Sequence, residues 1–151
     1  MELLYWKQEN LTARKYTVRD ENSLVGELAF RGWTSNDADF SSARINLYFQ
    51  RQGWLEHDLT IHFKDEVIGM SKSSGFGKTT TTLVTGEQFT FQGKTLNSSR
   101  DILDKTGQTL VRFEQGNFSI ASGQISIGRD IPELTKLLLV ATGLYLKHLG
   151  Q

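Results

Sequence analysis

The chain has no cysteine. That removes disulfide scaffolds, thiolate nucleophiles and cysteine-ligated zinc from consideration. It also has no excess charge of either sign: 17 basic and 17 acidic residues give a formal net charge of zero. A bulk electrostatic mode of nucleic-acid binding is excluded on that ground, so no nucleic acid is expected as a partner. The opening residues, Met1-Glu2-Leu3-Leu4-Tyr5-Trp6-Lys7, lack the basic segment and long apolar stretch of a secretory signal. A cytoplasmic location is therefore expected. There is a single proline, and there are 14 glycines. In a chain rich in Thr, Phe and Val, this composition predicts strands joined by short turns.

Alternation supports that reading. Leu55, His57, Leu59, Ile61 and Phe63 fall on one strand face, and Glu56, Asp58, Thr60, His62 and Lys64 fall on the other. Ala43, Ile45, Leu47 and Phe49 alternate with polar neighbours, as do Leu24, Gly26, Leu28 and Phe30. Strands are predicted over 2–7, 13–19, 24–32, 40–50, 54–64, 66–72, 78–85, 87–92, 94–99, 109–115, 117–121 and 124–128. Parity changes between Ile120 and Ile125, which places a turn or bulge at Ser122-Gly123.

The last segment is different. Leu134, Leu137 to Ala141, Leu144 to Leu146 and Leu149 predict a helix over 131–149 that is apolar on every side. Asp130 and Glu133 have capping-box spacing, Pro132 sits in the first turn, and Lys147, His148 and Gly150 mark the end. Ten residues separate Lys136 from Lys147. They span about 15 Å as a helix, half of the roughly 30 Å hydrocarbon core. The helix is therefore expected to be buried in protein and not membrane-spanning. Only strands are available to enclose it. A barrel of about 8 strands is filled by its own side chains, so a helix about 10–12 Å across requires a wider one. The expected fold is mainly β: one domain over 1–151, a closed barrel of about twelve strands (2–128) around one apolar C-terminal α-helix.

This order of elements resembles the tubby-like superfamily, with its phospholipid scramblases and LURP-one-related proteins. The resemblance covers essentially the whole chain. It rests on the strand meander, on Gly26-Glu27-Leu28-Ala29-Phe30-Arg31-Gly32-Trp33 leading to Ala43, and on Arg129-Asp130-Ile131-Pro132-Glu133 opening the terminal helix. It implies a twelve-stranded barrel closed around its helix. As a functional expectation it implies phosphoinositide or other membrane phospholipid binding, as in a small bacterial-type member. The acidic calcium segment of the scramblases has no counterpart here, so calcium and scrambling are not expected.

No motif specifies a reaction. Ser74-Gly75-Phe76-Gly77-Lys78-Thr79 has the end of a P-loop, but Lys72 stands where the first glycine belongs. Thr79 to Thr85 also reads as strand, where a P-loop needs a helix. A hairpin loop is expected. It carries Lys72, Phe76 and Lys78 and no acid, a composition suited to an anionic phospholipid surface. Asp58 and His62 would be about 13 Å apart along a strand, too far to share an ion. No Gly-x-Ser-x-Gly or His-Glu-x-x-His pattern occurs, and no cofactor or metal is expected. Trp6, Trp33 and Trp54 are expected to pack in the core or at the barrel rim. The polar connection after Trp33 carries Asp37 and Asp39 and is expected to face away from any lipid. The function expected is a non-catalytic binding module, cytoplasmic and peripheral at the membrane, for anionic phospholipid. The alternative is a protein-interaction or regulatory domain, with an enzyme as the third and least favoured reading.

Overall fold

A computed structural model describes residues 1–9, 14–52, 58–74, 77–93, 99–116 and 119–149, the side chains of 52, 119 and 120 excepted. Twelve strands form one closed barrel in which every neighbour in space is a neighbour in sequence, and the first strand meets the last. They are β1 (Glu2–Gln8), β2 (Lys15–Arg19), β3 (Leu24–Phe30), β4 (Ala38–Ser42), β5 (Asn46–Gln52), β6 (Asp58–Phe63), β7 (Glu66–Ser73), β8 (Lys78–Leu83), β9 (Gln88–Gly93), β10 (Arg100–Asp104), β11 (Thr109–Gly116) and β12 (Ser119–Ile127). Pairing is antiparallel throughout and is closed by β1 on β12, with Glu2 opposite Ile127. Full closure leaves no edge strand.

One helix follows, α1 (Glu133–His148), and every residue from Lys136 to Leu146 is buried. Consecutive burial over three turns is possible only if protein surrounds the helix on all sides. The wall supplies the rest of the core: Leu28, Phe40, Phe49, Ile61, Phe91, Phe113 and Ile125 all point inward. The β7–β8 sector is lined by smaller groups, with Ser71 and Thr81 sharing a buried hydrogen bond of 2.7 Å. The helix meets the β10–β11 wall closely, and a Cβ at Gly143 would overlap the Phe113 ring and lie 3.2 Å from Ile102 Cδ1.

The direction of α1 defines two ends. At the base, Lys136 in its first turn bonds Glu2 at the start of β1 at 3.0 Å. At the rim, His148 in its last turn bonds Tyr16 at the start of β2 and stacks on Phe30 at the end of β3. Because the strands run up and down in sequence order, alternate connections fall at alternate ends.

Several expectations are corrected. The predicted strand 40–50 is two strands, β4 and β5, turned at Ser42, whose hydroxyl donates to Ile45 O at 2.6 Å. The predicted pair 117–121 and 124–128 is the single strand β12. Its irregularity, where the register against β11 jumps from Gln115↔Gly123 to Gly116↔Ser119, is the expected bulge. Strand β10 at Arg100–Asp104 was not predicted, and of the strand predicted at 94–99, residues 94–98 lie outside the described residues. Helix α1 starts at Glu133, not 131, and Asp130 does not cap it. Proline keeps the residue before it out of the helical region, so Pro132 itself becomes the N-cap. Asp130 takes a left-handed turn at φ 63°. Glu133 pairs with Lys136 at 2.7 Å instead of completing a capping box.

Candidate functional site

The rim is where the chain places its bases. Lys7, Arg51 and Lys72 are next to last in β1, β5 and β7, Arg14 precedes β2, Lys15, Lys78 and Arg100 open β2, β8 and β10, Arg31 follows β3, and Lys147 lies in the last turn of α1. Acids at this end are fewer among the described residues: Glu9, Asp37, Asp39, Asp58, Asp101 and Glu114. The base has the opposite balance among the described residues, with Glu2, Asp20, Glu21, Asp65, Glu66, Glu87, Asp104, Asp130 and Glu133 beside Arg19, Arg44, Lys64, Lys105, Arg129 and Lys136. A chain of zero formal charge is therefore polar along its barrel axis. The basic end also faces the helix C-terminus, whose unpaired carbonyls favour cations.

Lys72 and Lys78 are both exposed and point out of the wall, because the alternating residues Ser71 and Thr79 point in. Lys72 is opposite Thr80, and Lys78 opposite Gln92. Ser74 N closes the hairpin on Lys78 O at 2.9 Å. The expected loop is thus present as a hairpin and continues into strand β8, with none of the helix a P-loop needs. Phe76, the third residue of the expected site, lies outside the described residues, as do Trp54 and His57.

At the centre of the rim sit the last residues of α1. Lys147 Nζ lies 4.4 Å from the Trp6 ring centroid. Burial, with Arg100 nearby, holds its ammonium below the ordinary lysine range. His148 stacks on Phe30 at 4.0 Å and bonds Tyr16 through Nδ1 at 2.8 Å. Burial, then Arg14 and Lys147, lowers its pKa from the usual imidazole value. Tyr145 is clamped between Phe30 and Phe49 and donates to Asn36 O at 2.6 Å; burial pushes its phenol well up. These contacts tie the helix end to the β3–β4 connection.

That connection, 31–37, is held from beneath. Arg14 donates to Gly32 O at 3.2 Å, Arg31 O at 3.2 Å and Ser35 O at 2.5 Å. The acids Asp37 and Asp39 are paired. Asp37 accepts from Tyr48 Oη and from Arg51 N, each at 3.1 Å. Asp39 forms a two-pronged pair with Arg31, which lies 4.0 Å over the Tyr48 ring. Up-and-down topology puts this connection on the same end as Lys72 and Lys78. Trp33, expected to pack, is 91% exposed, whereas Trp6 is buried at 1%.

The interior holds α1, so ligand-sized space lies outside. A shallow wall groove of about 370 Å³ is lined by Arg31, Asp39, Tyr48, His62 and Lys64. His62 Nε2 is 3.0 Å from the Thr60 hydroxyl. Among the described residues neither His62 nor His148 is bonded to a carboxylate, and no group of acids and histidines is arranged to hold a metal ion. No helix among the described residues is long and apolar enough to cross a membrane.

No family model, curated protein or solved structure matches the chain.

The polarity of the barrel was missed in the sequence because it appears only once the strand order is known. It was accessible in principle: adding the charges of alternate connections in a predicted meander would have separated the two ends.

Proposed function

We propose that this chain is a small tubby-like barrel that acts as a non-catalytic module. It binds anionic phospholipid at a membrane surface through the rim where α1 ends, as a cytoplasmic, peripheral protein. The observation that carries the reading is the gathering of Lys72 and Lys78 with Arg14, Arg51, Arg100 and Lys147 at one end of a barrel of zero formal charge. Each basic residue near an anionic surface contributes roughly 1 kcal/mol of attraction, which fades with salt. Flotation with neutral and anionic vesicles at low and high salt tests it. Binding only to anionic vesicles, falling steeply as salt rises, is expected. Lys72→Glu/Lys78→Glu is expected to weaken it by roughly 30-fold or more, the equivalent of two such contributions. Unchanged binding in that variant sinks the role of the hairpin.

A second reading rests on a separate observation. Val67, Met70 and Val84 are 43%, 44% and 72% exposed on and beside the β7–β8 wall, where Val84 N bonds Ile68 O. An apolar patch of this kind suits a protein partner, and binding there would be insensitive to salt.

A further inference from the structure

We propose that Trp33 is the interfacial anchor of the rim, the side chain that enters the headgroup layer of an anionic bilayer when the bases draw the barrel to it. The inference rests on the lipid reading above and assigns the residue that gives it depth of insertion.

A lone exposed tryptophan would mean little, but Trp33 is presented by a built support. Gly32 adopts φ +62° with open space around its Cα, a conformation that side-chain-bearing residues resist. It turns the chain outward at the residue before the indole. Arg14 fastens the carbonyls on both sides of Trp33, those of Gly32 and Ser35, and its guanidinium also lies 5.2 Å from the Phe30 centroid. The backbone is tied to the wall while the indole projects from it, 91% exposed. The charges that would oppose an anionic surface are paired: Asp37 is bonded to Tyr48 and the Arg51 amide, and Asp39 is neutralised by Arg31. Seen from the membrane, the connection presents an aromatic and little negative charge, on the end of the barrel that gathers the bases.

Tryptophan suits this position. Its ring is large and apolar, its N–H requires a partner, and the interface between water and hydrocarbon supplies both environments. The lysines attract at a distance and lose their effect in salt, whereas the indole acts only on contact and is not screened. The two contributions are therefore separable.

The test uses the full chain with vesicles of phosphatidylcholine and phosphatidylserine in equal parts, and phosphatidylcholine alone as the control. Trp33→Ala is expected to lower partitioning by about tenfold, by the same factor at low and at high salt, whereas Lys72→Glu/Lys78→Glu removes the salt-sensitive part. Its melting temperature should match the unsubstituted protein, because the indole touches little in the fold. Quenching by brominated lipid gives a second readout. With Trp54 replaced by Phe throughout, the protein should lose indole emission that Trp33→Phe no longer has to lose, since Trp6 is buried. If Trp33→Ala binds as tightly as the unsubstituted protein, or Trp33→Phe is quenched to the same extent, the anchor is refuted and the lysine reading stands. If the unsubstituted protein floats with neither vesicle, both fall, and the rim is returned to a protein partner.

Discussion

Replacing Gly143 by alanine should destabilise the protein, against the rule for helices. In a helix interior the change ordinarily gains about 1 kcal/mol, because glycine is the poorer helix former. Here the added Cβ would overlap Cζ and Cε2 of Phe113 and approach Ile102 Cδ1 to 3.2 Å. Phe113 is 0% exposed and Ile102 2%, so the ring has no free volume to move into. Forcing a methyl group into a packed core costs about 1–3 kcal/mol. With two ring atoms overlapped the cost lies in the upper part of that range, leaving a net loss of about 1–2 kcal/mol. For a chain of this length the melting temperature should fall by about 2–8 °C. Urea denaturation should show a lower midpoint with an unchanged slope. The cause can be isolated with Phe113→Leu, which is itself destabilising but removes the overlapped atoms. In that background Gly143→Ala should become neutral or stabilising, a coupling of about 2 kcal/mol. Two results would refute the reasoning: a Gly143→Ala protein as stable as its parent, or additivity with Phe113→Leu. Either would mean that the helix is not pressed against the β10–β11 wall.

A chain ending at Arg129 loses the whole filling of the barrel. It should show no cooperative unfolding and no near-ultraviolet dichroism, and a folded, cooperative monomer would disprove enclosure of the helix. The depressed pKa of His148 means that the unfolded chain binds the proton first as pH falls. Stability should therefore be constant above the ordinary imidazole value of 6.5 and decline below it. The decline levels off once the folded imidazole also protonates, and His148→Gln should flatten it in denaturation curves from about pH 8 to 5. At the base, Lys136 has a side chain only 10% exposed, while its partners Glu2 and Glu133 are each 46% exposed. Burial pulls its pKa down, and the bonds to Glu133 and Glu2 outweigh that to leave it raised. Removing both acids strands a buried cation, whereas removing the lysine leaves carboxylates that water can reach. Glu2→Gln/Glu133→Gln should therefore cost more than Lys136→Met in the same denaturation assay.

The helix and its enclosure were legible in the sequence because a run apolar on all sides has only one aqueous solution. The closed barrel followed from that. The strand number agreed for a less satisfying reason: one strand too few at 40–50 was offset by one too many at 117–128. At 40–50 the parity of Ile45, Leu47 and Phe49 continues smoothly from Ala43, so periodicity could not reveal that Ser42 turns the chain. At 117–128 a parity change looks the same whether it marks a turn or a bulge, and only the pairing with β11 distinguishes them. The lysines of the β7–β8 hairpin were legible as an exposed loop, but their company was not. Arg14, Arg51, Arg100 and Lys147 are scattered in sequence and are gathered only by the alternation of ends. The pairing of the acids after Trp33 was not legible, because a sequence shows charge and not the partner that neutralises it. Asp39 faces Arg31, and Asp37 faces Tyr48.

Closure of β1 on β12 joins Glu2 to Ile127, and the helix that fills the space follows every strand in the chain. A ribosome therefore delivers the wall before the core. Each hairpin can form as it emerges, since its partners are adjacent, but the inward faces of eleven such pairings remain wet until α1 is released. Through that interval β1 waits with an open edge and an oily face, the combination most prone to pairing with another nascent chain. Yield in cells should therefore depend on how quickly the last segment is translated and released, and on chaperones that shield the meander until then, as much as on the stability of the finished barrel.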